Sequence, residues 1–269
     1  MTARGYTVWE LDGWRGLVAA HIPVAPHEVL AVAGGDGGRR SRHARTLRVE
    51  LGREVVYVKS YPASGARRAF RAFRMGRALE RAGFGAPEAL LVGRRGGQGV
   101  LVTRDVVAPS LMEAIAAADA GPGTPAAKRR LLSALGAEVG RLHRAGFVHG
   151  DLVPSNLLAR PTGIVFLDHD RTRRGRALVW WGARRNLVQL GRFVVPGVTL
   201  CDRARVLRAY VVARRLGPRA HRGLAGWLVR ATMARRCRID RITPVAASRA
   251  GFRELMRSGG SFDPSGARE

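Results

Sequence analysis

The sequence predicts an α+β fold with two lobes, a small β-rich amino-terminal lobe and a larger helical carboxy-terminal lobe. Alternating β-branched runs are concentrated before residue 105, and long segments of helical periodicity follow them. The length of 269 residues suits one large domain or two closely packed lobes. With 46% hydrophobic residues, the composition excludes general disorder and supplies enough apolar material for a core.

Turn residues and apolar patterning define the elements of the amino-terminal part. The glycine-rich segment GGDGG closes a predicted strand, and a short turn joins the next two strands into a hairpin. The predicted elements in chain order are a strand and turn over 29–38, strands over 45–51 and 54–59, a helix over 66–82, a strand within GFGAPEALLVG, and a strand over 100–103.

The carboxy-terminal part is predicted to be mostly helical. Ser110 is placed to cap a helix, and Glu113 completes a capping box. The predicted elements are a helix over 110–118, a loop over 121–125, a long helix over 126–146, a strand over 163–168 and helices from about 184. This order predicts an amino-terminal lobe over 1–104, a helical lobe over 105–257 and a fraying tail over 258–269.

The chain is strongly basic, with a formal net charge of +27. Such a charge suits an anionic partner such as a phosphorylated substrate, an anionic membrane surface or a nucleic acid. The alternative is a coding bias toward arginine that leaves the charge on a solvated surface. Because the sequence holds no helix-turn-helix, zinc-finger or RNP-type motif, it argues against nucleic acid as the partner.

The two isolated cysteines and the lack of a recognisable sorting signal favour a reducing compartment. The two cysteines, Cys201 and Cys237, form neither a CxxC pair nor a metal spacing. No segment has the apolar length of a signal peptide or a membrane span. We therefore expect a cytoplasmic protein, or one peripheral on the cytoplasmic face of the inner membrane. Trp180 and Trp181 fit either an interfacial contact with lipid or a place in the core.

Lysine is informative here because nearly every other cation is arginine. The chain has only two lysines, Lys59 and Lys128. Lys59 lies in the β-branched run VVYVKSY, which is typical of a strand. A compact ammonium group at this position indicates a specific electrostatic role.

The segment HGDLVPSNLLARPTGIVFLDHD carries the chemistry that can be predicted. Asp151 is followed five residues later by Asn156, and Asp168 ends a predicted strand. This layout after a long helix is typical of kinase-fold phosphotransferases. One carboxylate orients the acceptor hydroxyl, while amide and carboxylate oxygens suit Mg²⁺. The sequence therefore predicts a bilobal protein-kinase-like fold that uses ATP and Mg²⁺.

With these motifs in view, the chain resembles the Kdo/heptose lipopolysaccharide kinase family, whose members phosphorylate inner-core sugars. The resemblance covers roughly residues 35–215 and rests on VVYVKSYP, GFGAPEALLVG, GRLHRAGFVHGDLVPSNLL, IVFLDHDRTR and RRNLVQLGRF. It implies that Lys59 contacts the ATP phosphates and that Asp151 is the catalytic base. It further implies that Asn156 and Asp168 bind the metal, with His149 buttressing this segment. The implied acceptor is a Kdo or heptose hydroxyl.

Two departures from the usual kinase pattern leave alternatives open. Between Lys59 and Pro87 the only acidic residue is Glu80, whereas the family's acidic helix position falls near Ala72. Glu80 is thus a shifted partner of Lys59 or a solvated residue, and loss of the pair would favour a weak enzyme or a pseudokinase that only binds. The GGDGG turn is not a complete GxGxxG motif.

Gly35 and Gly37 nevertheless allow backbone N–H groups to approach nucleotide phosphates. A plain flexible loop and a covering turn at Arg40–Ser41 are the alternatives to that role. Gly150 stands where many protein kinases carry arginine, which favours a small-molecule or glycolipid kinase over a regulated protein kinase.

A charged cluster follows Asp168, and its members are Asp170, Arg171, Arg173 and Arg174. Arginine suits bidentate recognition of phosphate and carboxylate groups. We expect this cluster to contact an anionic glycolipid or sugar acceptor, with a solvated basic loop as the alternative. The sequence leaves the phosphorylated hydroxyl and the oligomeric state open.

Overall fold

The computed structural model describes residues 5–21, 24–41, 44–120, 124–193, 195 and 197–239. The chain divides into two compact units, of which the first combines 1–107 with 166–172 and the second holds the rest. This division falls three residues beyond the predicted boundary at 104. It also assigns the segment that contains Asp168 and Asp170 to the first unit. The predicted tail, 258–269, lies outside the described residues.

The first unit is built on a seven-stranded antiparallel sheet with two helices. The strands are β1 (Tyr6–Leu11), β2 (Trp14–Ala19), β3 (Arg39–Arg40), β4 (Arg45–Leu51), β5 (Glu54–Tyr61), β6 (Ala89–Arg95) and β7 (Gln98–Arg104), and the helices are α1 (Pro26–Gly34) and α2 (Ala66–Arg81). The strand order is β1-β2-β6-β7-β5-β4-β3. The predicted hairpin, helix and later strands of this part are confirmed.

Side-chain alternation along β5 divides the core of the first unit. Val56 and Val58 join a buried cluster that includes Val29 of α1. Tyr61 joins a second cluster with Ala69 and Phe73 of α2. Since side chains two residues apart share a face, Lys59 lies on the same face as Tyr61. The sheet therefore presents Lys59 toward the side on which α2 packs.

The strand predicted at the start of 29–38 was wrong, because α1 extends to Gly34, whereas the predicted glycine-rich turn follows it and leads to β3. Pro26 begins this helix, and Val29 is fully buried against the sheet. The β1–β2 hairpin was not predicted at all. Its Asp12–Gly13 turn has positive φ at both residues, which is the conformation that Asp-Gly favours between two strands.

The second unit is mainly helical. Its elements are α3 (Leu111–Ala120), α4 (Thr124–Arg144), β8 (Phe147–Val148), β9 (Leu157–Arg160), β10 (Gly163–Phe166), β11 (Arg173–Arg174), α5 (Arg176–Gly191), α6 (Leu200–Arg214) and α7 (Pro218–Ile239). Both hydrogen bonds of the predicted Ser110–Glu113 capping box are present. Helices α4 and α6 pack closely because Gly140 has no side chain. A Cβ added there would lie 2.7 Å from the Tyr210 carbonyl oxygen.

Other predictions of the sequence are only partly covered by the structure. Residues 121–123 of the predicted loop lie outside the described residues, and nothing is described of the Trp180 side chain. Trp181 is 75% exposed. Among the helices described, none combines the length and the apolar character needed to cross a bilayer.

Candidate functional site

Lys59 is the centre of a charged cluster in the first unit. Its Nζ lies 2.9 Å from Asp168 Oδ1 and 2.9 Å from Asp170 Oδ2. The Lys59 side chain is only 17% exposed. The ammonium group is thus held by two carboxylates from a segment that is far away in sequence, and both had been singled out as site residues.

The segment after β10 is shaped by an unusual backbone conformation. Asp168 has a left-handed backbone, with φ 59° and ψ 78°, and its carboxylate accepts a 3.4 Å hydrogen bond from the N–H of Asp170. Aspartate tolerates this region better than most residues, yet the conformation is strained. A 3₁₀ turn over His169–Arg171 follows, and α2 packs against it. His169 is buried, and a Cβ on Gly76 of α2 would lie 3.5 Å from its ring.

Tyr61 completes the cluster by donating a 2.6 Å hydrogen bond to Asp170 Oδ1. Burial raises the pKa of Tyr61 well above 10, and the charge of Asp170 raises it further. Burial lowers the pKa of Lys59, but the Asp168 and Asp170 carboxylates more than offset this and leave it raised. Both groups therefore stay protonated and donate hydrogen bonds at neutral pH.

Glu80 does not pair with Lys59 in this structure. Lys59 takes its carboxylate partners from Asp168 and Asp170, whereas the charges acting on Glu80 come from Glu88, Arg77 and Arg81. Burial and the neighbouring Glu88 raise the pKa of Glu80 to about 7. In this structure Glu80 is therefore not the carboxylate that holds Lys59, and its side chain is half-buried rather than fully solvated.

In the second unit, the segment His149–Asn156 forms a tight loop after β8. Gly150 has φ 78°, which explains glycine at this position. The Asn156 amide donates a 3.0 Å hydrogen bond to the Asp151 carbonyl oxygen. Asp151 is half-buried, and within the described residues its carboxylate has no hydrogen bond or ion pair. This carboxylate is therefore available to accept a hydrogen bond from a ligand.

Two side chains of α5 hold the backbone of this loop. Asn186 Oδ1 accepts a 3.0 Å hydrogen bond from the N–H of His149. Gln189 accepts a 3.2 Å hydrogen bond from the Leu152 N–H and donates a 2.9 Å bond to the Gly150 carbonyl oxygen. The two amides are joined by a 2.8 Å hydrogen bond. The loop is thus fixed on both sides of Gly150.

His143 of α4 extends this network. Its Nε2 lies 3.1 Å from Asn186 Oδ1, and its Nδ1 lies 3.1 Å from the Tyr210 hydroxyl. Burial lowers the pKa of His143 to about 4. A neutral ring that donates from Nε2 and accepts at Nδ1 satisfies both partners. His149 is itself fully buried, which agrees with a buttressing role.

The predicted metal ligands have suitable donor chemistry. Because Asn156 donates through its amide nitrogen, its amide oxygen is left to coordinate a cation. The Asp168 carboxylate is 40% exposed, more than twice the 15% of Asp170. Oxygen-only donors suit a hard cation such as Mg²⁺. The described residues contain no group of three or more His, Cys, Asp or Glu that could hold a metal ion.

The glycine-rich turn connects α1 to β3. Gly38 has φ 95°, and a Cβ there would lie 2.6 Å from the Thr46 carbonyl oxygen, so this position requires glycine. Gly35 and Gly37 have no such constraint. Ser41 bonds Ala44 across the next turn, of which residues 42 and 43 lie outside the described residues. The roles of Gly35 and Gly37 toward a nucleotide remain predictions.

The basic cluster is divided between the two units. Arg171 belongs to the 3₁₀ turn of the first unit, while Arg173 and Arg174 form β11 in the second. Strand β11 pairs with β8, and the Arg174 guanidinium lies 5.0 Å from the centre of the Phe147 ring. All three arginines are exposed. Asp170, by contrast, is committed to Lys59 and Tyr61.

A family model described as the lipopolysaccharide kinase (Kdo/WaaP) family matches residues 36–210. The chain belongs to this family. A solved structure of WaaP in complex with acyl carrier protein superposes with a TM-score of 0.61 at 26% identity, over 76% of this chain and 91% of that one. As a Kdo/WaaP family member, the chain has the protein-kinase-like fold that its sequence predicted.

Two curated relatives of this Kdo/WaaP member are fungal proteins. The EKC/KEOPS complex subunit BUD32 of Chaetomium globosum is 35% identical over 95 residues, which are 34% of each chain. The bud32 subunit of Aspergillus clavatus is 36% identical over 89 residues, which are 33% of this chain and 30% of that one. The match therefore spans about a third of the length of these relatives.

Four residues that order the site were not predicted from the sequence. Tyr61 follows Lys59 by two residues on a strand, so period-two alternation was a usable signal. Asn186 and Gln189 lie three residues apart on α5, inside a segment that had been quoted without a role. His143 had no signal beyond its place near the end of a helix.

An apolar cavity of about 420 Å³ lies in the second unit. It is lined mainly by leucine and valine side chains of α4 to α7, among them Leu132, Leu187, Leu207 and Leu228. None of the predicted site residues lines it. Pro154 of the His149–Asn156 loop is one of its lining residues, so the cavity adjoins that loop without containing Asp151.

Proposed function

We propose that this protein is an ATP-dependent kinase that phosphorylates a sugar hydroxyl, of Kdo or heptose, in the lipopolysaccharide inner core. The observation that carries the proposal is the 2.9 Å pair between Lys59 and Asp168, which are 109 residues apart in sequence. These are the two groups that the motif assigned to phosphate and metal binding. Membership of the Kdo/WaaP family supports the choice of acceptor.

In the proposed reaction, Lys59 binds the nucleotide phosphates and Asp151 acts on the acceptor. The buried, charged Lys59 offers a fixed ammonium donor to phosphate oxygens. The Asp151 carboxylate, which has no partner among the residues that the structure describes, accepts a hydrogen bond from the acceptor hydroxyl and orients its oxygen toward the γ-phosphate. Asn186 and Gln189 fix the backbone that carries Asp151.

Mg²⁺ fits the donors that the chain offers, with Asn156 and Asp168 as the residues that would hold it. When bound, the ion would neutralise charge on the phosphates. The amide hydrogen bond from Asn156 to the Asp151 carbonyl sets which atom of Asn156 is left for the ion. His149, which is fully buried at the start of the loop, buttresses this segment.

The distribution of charge supports the proposed acceptor and the proposed location of the enzyme. Exposed Arg171, Arg173 and Arg174 suit carboxylate and phosphate groups on an anionic glycolipid. The net charge of +27 favours approach to an anionic surface, and exposed Trp181 suits its interface. We propose that the enzyme is cytoplasmic and acts at the cytoplasmic face of the inner membrane.

The test is transfer of phosphate from MgATP to deacylated inner-core lipopolysaccharide. Wild type is compared with Asp151→Asn, Lys59→Arg and the matched control Lys128→Arg. Lys128 is also a largely buried, paired lysine, bonded to the Gly197 carbonyl and close to Asp202. We expect Asp151→Asn and Lys59→Arg to lose transfer by about 100-fold or more, and Lys128→Arg to retain it.

The possible outcomes separate the alternatives. Nucleotide binding without transfer to this acceptor would overturn the proposed substrate and favour another small-molecule or protein acceptor, or a pseudokinase. An absence of nucleotide binding would overturn the kinase assignment as a whole. Equal losses in Lys59→Arg and Lys128→Arg would show that the effect is on folding rather than on the site.

A further inference from the structure

We propose that Asp170 is a positioning residue for Lys59 and takes the place of the acidic helix residue that α2 lacks. This inference rests on the proposed function and concerns only residues of the first unit. It moves Asp170 from the predicted acceptor contact to the nucleotide side of the site.

Helix α2 offers no carboxylate to Lys59. The position where an acidic residue was expected is Ala72, which is buried in an apolar cluster with Tyr61 and Phe73. The one acidic residue of the helix, Glu80, is surrounded by Glu88, Arg77 and Arg81. A lysine on β5 must therefore find its counter-charge elsewhere, because a buried ammonium group without one is costly.

Asp170 supplies that counter-charge in a fixed geometry. Its Oδ2 lies 2.9 Å from Lys59 Nζ, and its Oδ1 accepts a 2.6 Å hydrogen bond from Tyr61. Each carboxylate oxygen thus has its own donor, and the side chain is only 15% exposed. The two donors lie two residues apart on β5, so strand geometry holds them at a constant spacing.

Asp168 is less suited to hold Lys59 during the reaction. It is the proposed metal ligand and is more exposed than Asp170. A carboxylate that coordinates a metal ion has less negative charge to offer an ammonium group. Asp170 therefore keeps Lys59 in place when Asp168 serves the metal.

The experiment measures MgATP binding without acceptor, together with the KM of ATP, kcat, the acceptor KM and the Mg²⁺ dependence. The variants are Asp170→Asn, Tyr61→Phe, Lys59→Ala and the double variant Asp170→Asn with Lys59→Ala. Tyr57→Phe is the matched control for Tyr61→Phe, since Tyr57 lies on the same face of β5 without a bond to Asp170. Glu54→Gln, which removes the charge that pairs Glu54 of β5 with Arg104 of β7, is the control for loss of a carboxylate.

We expect Asp170→Asn to weaken MgATP binding and raise the KM of ATP by about 10-fold or more. Tyr61→Phe should act in the same direction by about 2- to 5-fold, and both controls should match wild type. In the Lys59→Ala background, Asp170→Asn should add less than about 2-fold, because both residues act through one ammonium group. The acceptor KM and the Mg²⁺ dependence at saturating ATP should not change.

Other outcomes overturn the inference. A raised acceptor KM with normal ATP binding would return Asp170 to the acceptor side, and a shifted Mg²⁺ dependence would make it a metal ligand. Full additivity with Lys59→Ala would show that the two residues act independently. If Asp170→Asn fails to fold, the test is the MgATP binding of Tyr61→Phe. Binding as tight as that of Tyr57→Phe would then refute the inference. If wild type itself binds no nucleotide, the proposed function fails instead.

Discussion

Asn186 of α5 accepts a 3.0 Å hydrogen bond from the backbone N–H of His149. The loop that carries Asp151 is therefore ordered by a side chain 37 residues away in sequence. Buried amides that satisfy one another fix a backbone more firmly than isolated contacts do, because each lost bond leaves a second group unsatisfied.

Removing this support should affect turnover more than nucleotide binding. We expect Asn186→Leu to lower kcat at least about 10-fold and stability by about 2–4 kcal/mol, since buried N–H groups lose their acceptor. Gln189→Ala should show a smaller effect on both. Steady-state kinetics and thermal unfolding measure the changes, with exposed Gln98→Ala as the control. Unchanged kcat in folded Asn186→Leu would contradict the positioning role of α5.

The neutral, buried His143 should make stability depend on pH. Burial lowers its pKa from 6.5 to about 4, so the unfolded chain binds the proton more readily than the folded chain. The contribution of His143 to the free energy of unfolding is therefore complete above about pH 6.5 and is lost as the pH falls toward 4. Its size is on the order of 3 kcal/mol. Denaturant unfolding at pH 7 and pH 4.5 should show a smaller loss for His143→Gln than for wild type. Exposed His27→Gln should behave as wild type.

Glu80→Gln should stabilise the protein at alkaline pH without changing the KM of ATP. Burial and Glu88 raise the pKa of this carboxyl to about 7, so its ionised form is penalised in the folded state above that pH. The penalty is absent below about pH 4.5, where the carboxyl is protonated in both states. Unfolding at pH 8 and pH 4.5 measures the difference. A raised KM of ATP in Glu80→Gln would show that Glu80 supports Lys59 after all.

The two glycines of the GGDGG turn should respond differently to alanine. Gly37→Ala meets only a Leu47 methyl group at 3.9 Å, whereas Gly38→Ala would clash with a backbone carbonyl at positive φ. We expect Gly38→Ala to lower stability by about 1–3 kcal/mol and Gly37→Ala to leave it nearly unchanged. If Gly37 lies against the nucleotide phosphates, its alanine variant should raise the KM of ATP. An unchanged KM would leave this turn without a nucleotide role.

The exposed arginines should govern the acceptor and not the nucleotide. We expect the triple variant Arg171→Ala, Arg173→Ala and Arg174→Ala to raise the acceptor KM about 10-fold or more at low salt. The KM of ATP should change little. The matched control removes three exposed arginines of the second unit, Arg129, Arg130 and Arg219. Equal acceptor KM values in the two triple variants would show that only the overall charge matters.

Local sequence signals explain why most elements were predicted correctly. Strand β5 and helix α2 carry strong period-two and helical patterns, and the Ser110–Glu113 box is a local device. The start of 29–38 was predicted as a strand because the apolar run VLAVA fits a buried strand as well as a buried helix. The proline at Pro26 and burial against the sheet decide for a helix there.

What the sequence determined by itself is the set of reactive groups and their order along the chain. Lys59, Asp151, Asn156 and Asp168 are recognisable because phosphoryl-transfer chemistry needs those residue types at those spacings. The partner of Lys59 could not be found in this way, since a salt bridge depends on distance in space and not in sequence. Tertiary structure alone decided that Asp168 and Asp170 hold Lys59 and that Tyr61 bonds Asp170. It also decided that Asn186 and Gln189 hold the Asp151 loop. Burial makes these partners necessary, because a polar group removed from water must form its hydrogen bonds or ion pairs with the groups that packing places beside it.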